Sequence, residues 1–161
     1  MSYSKPRFLS VLIAALMLAS CAPQKSAHDT ASDMASLTST ASGWEKAYNE
    51  KNADEVAALY SEDAQLLPPG AALVSGRAGI RDFWAKDIAS TGMPVTIKSD
   101  ASDGGGDWAW RSGTWSSQDP SGRAVTGKYV EVWHRTADGW RIHRDIWNAD
   151  AEAAPASSTT P

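Results

Sequence analysis

Residues 127–148 read GKYVEVWHRT, then ADG, then WRIHRDIWN, two alternating runs about Ala137-Asp138-Gly139. A period of two with Tyr, Trp, Val and Ile recurring is the pattern of a pleated strand, and Asp-Gly between two such runs is a hairpin signal. A lone two-stranded ribbon is not stable in water, so the remaining chain must extend this hairpin or cover it. Aromatic content agrees. All eight Trp lie between Trp44 and Trp147, and large aromatics bury enough area to build the core of a small domain.

Upstream, helical spacing dominates. Met34, Leu37, Ala41, Trp44 and Tyr48 step by three and four, which predicts a helix over about 33–51. Asn52, with Glu55 three residues on, starts a second helix with Val56, Leu59 and Tyr60 inward and Ser61-Glu62-Asp63 at its close. A short strand follows over 64–67, a turn at Pro68-Pro69-Gly70, and a return strand over 71–75. Ile80, Phe83, Trp84, Asp87 and Ile88 mark a third helix over about 78–89. From Val95 the period changes to two. A turn is expected at 102–106, a strand at 107–117, and a turn at Asp119-Pro120-Ser121-Gly122 before the hairpin. This order implies an α+β fold: a cone-shaped, strongly bent antiparallel sheet covered by three N-terminal helices, with a pocket between the layers.

The ends read differently. Lys5 and Arg7 precede an apolar run over 8–18, too short to span a bilayer, and then come Ala19, Ser20 and the lone Cys21. Leu18-Ala19-Ser20-Cys21 resembles a bacterial lipobox. The resemblance implies cleavage before Cys21, lipidation of its sulfur, and a cell-envelope location, at the outer membrane facing the periplasm. The expected organisation is a signal peptide over 1–20, a flexible tether over 21–33, the cone domain over 34–148, and a disordered tail over 149–161. The chain has a net charge of −4 and no basic stripe, which disfavours nucleic-acid binding.

Several segments resemble a known superfamily. Ala57-Ala58-Leu59-Tyr60-Ser61-Glu62-Asp63-Ala64, Ser75-Gly76-Arg77 and Ile80-Arg81-Asp82-Phe83-Trp84 are similar to the first half of ketosteroid isomerase and nuclear transport factor 2-like proteins. Lys128-Tyr129, Val132-Trp133, Asp138-Gly139-Trp140-Arg141-Ile142 and Arg144-Asp145-Ile146-Trp147-Asn148 resemble its SnoaL-like branch. The resemblance implies the same bent sheet with three helices. It also places Pro68 where the isomerases carry their carboxylate base, Trp44 where they carry a tyrosine, and Glu131 near their second acid. One of three roles is kept, which argues against steroid isomerisation.

Glu131, His143 and Asp145 are the candidate catalytic groups. Glu131 shares a strand face with Tyr129 and Trp133, where it is either a carboxyl of raised pKa or the partner of an Arg such as Arg111. His143 and Asp145, two apart, are expected on one face, as a proton relay or as plain ion-pair formers. Trp44, Tyr48, Trp108, Trp110, Tyr129, Glu131 and Trp133 are the expected ligand-binding set, with Arg81 a further polar candidate; the alternative for Trp108 and Trp110 is core or dimer interface. His134 is expected in solvent. No metal site is expected, since no HxH or HxxxH spacing occurs, and no cofactor fingerprint is present. The leading expectation is non-catalytic binding of a small, partly apolar ligand. The alternatives are a cyclase, dehydratase or isomerase, and a dimeric interaction module with Trp115 and Trp140 at the partner surface.

Overall fold

The structure, a computed structural model, describes residues 27–150. The expected signal peptide, Cys21 and most of the tail lie outside the described residues. Three helices come early in the chain: α1 (Ala27–Asn49), α2 (Ala53–Ala58) and α3 (Arg77–Ser90). The strands are β1 (Tyr60–Leu67), β2 (Val74–Ser75), β3 (Thr96–Gly105), β4 (Trp108–Gln118), β5 (Ala124–Thr136) and β6 (Gly139–Ala149). They form one curved sheet in the order β2-β1-β6-β5-β4-β3. The α+β layering, with three N-terminal helices against a bent sheet, is the one the periodicities imply. One pairing differs in direction: β1 runs parallel to β6, so the sheet is mixed. The reason is topological. The chain leaves β1 through α3, crosses the whole sheet, and returns to β1 only with its last strand.

The core lies between helices and sheet. Leu37, Val56, Tyr60, Leu66, Ile80, Trp133 and Ile142 are its largest fully buried side chains. The α1 stripe supplies Leu37, Ala41 and Tyr48, as its spacing requires. Asn52 caps α2, its Oδ1 accepting from Glu55 N at 3.1 Å. Gly76, at φ +79°, makes the sharp entry into α3 that an L side chain resists.

Four local expectations change. Helix α1 begins at Ala27, so its first turns occupy part of the stretch read as tether. An ion pair from Arg135 on β5 to Asp33 ties that part of the helix to the sheet. Tyr60-Ser61-Glu62-Asp63 belongs to β1, not to the close of α2; strand pairing with β6 outweighs helical spacing there, as tertiary contacts often do. The return strand shrinks to Val74–Ser75. Residues 102–105 continue β3 rather than turning, and the reversal occurs at Gly106-Asp107. At Gly104 a Cβ would stand 2.6 Å from the Ala109 Cβ, so the glycine permits close strand contact here and does not mark a turn.

Gly113 on β4 is similar: a Cβ there would stand 2.0 Å from the Lys98 carbonyl oxygen, whereas at Gly105 it would meet nothing within 4 Å. Gly113→Ala is expected to destabilise the fold by about 1–3 kcal/mol through overpacking, and Gly105→Ala to stay within about 0.5 kcal/mol. Urea denaturation of both variants checks this; equal losses would contradict it.

Candidate functional site

The inner face of the sheet carries a row of charge across three strands. Arg111 on β4 stands opposite Glu131 on β5, and Glu131 stands opposite Asp145 on β6. All three are buried. Arg111 Nη1 donates to Glu131 Oε2 at 3.2 Å, and Arg111 Nη2 donates to the Tyr129 hydroxyl at 3.1 Å. Trp133 Nε1 donates to the same Glu131 oxygen at 2.8 Å. On β1, the Tyr60 hydroxyl donates to Asp145 Oδ2 at 2.6 Å and accepts from Trp44 Nε1 at 3.1 Å and Trp84 Nε1 at 3.3 Å. The guanidinium is therefore bonded to one carboxyl of the row, Glu131, and the other, Asp145, is held by the Tyr60 hydroxyl.

Burial sets their protonation. Asp145 is pushed up to about 8, first by loss of water and then by the negative charge of Glu131; the Tyr60 hydrogen bond and Arg111 oppose the rise only in part. Glu131 is also raised, because burial outweighs the Arg111 charge and the Trp133 hydrogen bond. Tyr60 and Tyr48 are held well above the ordinary phenol value by burial, so both stay neutral donors.

Above this row lies a cavity of about 300 Å³. Trp44, Trp84, Trp115 and Trp147 form much of its wall, with Tyr48, Tyr129, Glu131 and Asp145 among its polar members. The aromatic wall is internally packed: Trp44 stacks on Tyr48 at 5.2 Å and 9°, and Trp84 stacks on Trp147 at 5.4 Å and 28°. Tyr48 donates to Asp87 Oδ2 at 2.5 Å, which fixes both at the rim of the wall.

Of the expected ligand set, Trp44, Tyr48, Tyr129 and Glu131 line the cavity. Trp133 is fully buried behind it and orients Glu131. Trp108 and Trp110 do not line it: they are exposed on the opposite sheet face. Trp115 and Trp140 are not partner-surface residues, since Trp115 lines the cavity and Trp140 is buried beneath Arg135, whose guanidinium lies 4.6 Å from its ring. Arg81 is exposed and pairs with Asp54 at 2.9 Å and with Asp82 at 3.2 Å.

The His143/Asp145 pair is also separated. The β5–β6 register pairs Val132 with Arg144 but Trp133 with Ile142, leaving His143 as an extra residue in a β-bulge. Ile142 and Asp145 consequently both point inward, and His143 does not. Its Nδ1 lies 3.3 Å from Ser61 Oγ and 3.5 Å from Asp63 Oδ1. Its ring stands edge-on to Trp108, which stacks on His134 at 4.2 Å. His134 is thus covered by an indole instead of standing free in solvent.

Tyr60, Asp87 and Trp147 are site residues that the sequence reading did not single out, whereas the Arg111–Glu131 pair is one of its two expectations for Glu131. Asp87 had a signal: an acid set inside the apolar stripe of Ile80, Trp84 and Ile88. Tyr60 had none, because it was assigned to a helix. Among the described residues, no group of three His, Cys, Asp or Glu side chains is placed to hold a metal ion.

The Asp145 shift carries a sign. The folded state binds its proton more tightly than the unfolded chain, where the value is near 3.8. Its contribution to stability is complete below about pH 4 and is lost as pH rises toward about 8. Asp145→Asn, which cannot ionise, should gain on wild type steadily through that window. Urea denaturation at several pH values measures the gap; a gap independent of pH would refute the assignment.

Residues 41–144 match the SnoaL-like domain family. No curated protein matches the chain. Solved structures share the fold at low identity. A ketosteroid isomerase-like protein from Erwinia carotovora atroseptica SCRI1043 superposes with a TM-score of 0.67 at 16% identity, covering 74% of this chain and 98% of that one. A domain of unknown function with a cystatin-like fold from Nostoc punctiforme PCC 73102 gives 0.69 at 16% identity, covering 76% and 80%. An NTF2-like protein of unknown function from Shewanella oneidensis MR-1 gives 0.63 at 17% identity, covering 71% and 97%. With its curved sheet, its three helices and a family match across most of the described residues, this chain belongs to the SnoaL-like domain family.

Proposed function

We propose that this protein is a lipid-anchored envelope protein whose cone binds a small, partly apolar ligand without turning it over. The observation that carries the reading is the cavity itself: about 300 Å³, walled by four Trp and floored by two buried carboxyls. Such a space fits a compact molecule with an apolar body and one polar end. Two features favour binding over catalysis. Proline occupies position 68, where the resemblance places the isomerase base. Trp44, where it places a tyrosine, has its N–H committed to Tyr60, and an indole N–H is a donor that cannot serve as an acid near neutral pH.

A second reading, an isomerase, cyclase or dehydratase, is favoured by one observation: Asp145, pushed to about 8, is a carboxylic acid at neutral pH and lines the cavity. In that reading Asp145 and Glu131 do the proton work and His143, on the other face, takes no part. A third reading gives the outer face to a second copy of this chain, supported by exposed Trp108, Trp110, Val130 and Ile146 there; burying that patch would be the gain on dimerisation.

Native mass spectrometry of the protein taken from its own membranes is expected to show a co-purified small molecule. Prolonged incubation should return that molecule unchanged. Release of a chemically altered product would overturn the binding reading in favour of the enzyme; recovery of empty protein would count against both. Cys21→Ser is expected to move the protein from the membrane fraction to the soluble one. If the variant still sediments with membranes, the anchor proposal fails.

A further inference from the structure

The charges around the cavity are one-sided. Among the described residues, four acids line it, Asp87, Asp119, Glu131 and Asp145, and no Lys, Arg or His does. The acids differ in how far they are committed. Asp119, at the mouth, accepts from Ser121 and Arg123 through both oxygens. Asp87 holds the Tyr48 hydroxyl. Glu131 takes its hydrogen bonds from Arg111 and Trp133 on Oε2, and Asp145 takes its bond from Tyr60 on Oδ2. Among the described residues, neither Glu131 Oε1 nor Asp145 Oδ1 accepts a hydrogen bond. Both residues are more than nine-tenths buried, at 8% and 6% exposure. Each therefore offers the cavity an oxygen that no described side chain or backbone group engages.

An anionic ligand would meet these carboxyls with nothing to neutralise it. A neutral ligand could use one of them, as an acid. A cation satisfies both, and the surrounding wall of Trp44, Trp84, Trp115 and Trp147 supplies π systems that attract positive charge more strongly once water is excluded. Resting on the binding reading above, we infer that the ligand of this cavity is a small organic monocation, an amine or quaternary ammonium group on an apolar body, held among Trp44, Trp84 and Trp147 over Asp145 and Glu131.

The site stores the compensating charge as a proton. Asp145 is faced by Glu131 from β5, Arg111 from β4 and Tyr60 from β1, with Tyr48 and Asp87 of α1 and α3 across the cavity. With Arg111 as the guanidinium of this row, the two carboxyls are balanced when they hold one proton between them. A bound cation takes over that role, ionises the pair and releases the proton. Affinity for a fixed cation should therefore rise as pH approaches about 8, where free Asp145 gives up its proton, and flatten above.

The test is calorimetric titration of the full chain with three para-substituted phenols: (4-hydroxyphenyl)trimethylammonium, its uncharged carbon isostere 4-tert-butylphenol, and the anion 4-hydroxybenzoate. The cation is expected to bind about tenfold or more tighter than the isostere, with a proton released into buffer, and the anion not to bind. Asp145→Asn and Glu131→Gln, each checked by circular dichroism, should weaken the cation by a similar factor and leave the isostere within about twofold. If one variant fails to fold, the other decides. A cation no tighter than the phenol overturns the charge assignment while leaving the pocket reading intact. So does equal loss of both ligands in the folded variants. If no probe binds, the cation assignment falls, and the pocket itself is judged by what native mass spectrometry recovers.

Discussion

Two carboxyls and one guanidinium, buried side by side across β4, β5 and β6, are the constraint on which the rest of the site depends. Removing carboxylates from water costs several kcal/mol per ion even after relaxation, so each must be hydrogen-bonded, paired or protonated. The chain uses all three means. Arg111 and Trp133 serve Glu131, Tyr60 serves Asp145, and Asp145 keeps its proton near neutrality. The core is built around those needs. Tyr60 is fully buried because its hydroxyl joins Asp145 to two indoles, and the Trp44 and Trp84 rings are held in the cavity wall by those same N–H groups.

A second constraint is geometric. The bulge at His143 inserts one residue into β6, so both halves of the strand present apolar or buried groups to the core: Trp140 and Ile142 before it, Asp145 and Trp147 after it. Strict alternation would have put His143 beside Asp145 and turned Ile142 to solvent. The bulge instead gives the core Ile142 and leaves His143 outside with Ser61, Asp63 and Trp108. Among the described residues, the polar side chains lining the cavity are carboxyls, phenols, hydroxyls and one amide, and His143 is not one of them.

Much of the fold was legible because hydrophobic period is a local property. The α1 stripe, the α2 cap at Asn52, the α3 stripe and the β5–β6 hairpin all follow from spacings of two, three and four. The elements that were misread are those whose conformation depends on distant partners. Tyr60-Ser61-Glu62-Asp63 became a strand because β6 lies beside it, and residues 102–105 stayed in β3 because Gly104 lets β4 approach. Within the site, Tyr129, Glu131 and Trp133 could be read as one face, since β5 has no bulge of its own. Trp108 and Trp110 could be read as a pair, but which face they took depended on the sheet's curvature and helix placement.

Alternation and helical spacing, which backbone geometry sets, were enough to imply the α+β layering, a common face for Tyr129, Glu131 and Trp133, and the possible partnership of Arg111 with Glu131. That this face turns inward followed only from the family resemblance. Long-range packing set the rest: β1 lies parallel to β6, Tyr60 reaches Asp145, and the bulge parts Asp145 from His143. Those contacts join residues as many as 85 positions apart. Such pairings are selected by burial and hydrogen bonding among elements that come together only when the sheet closes against its helices.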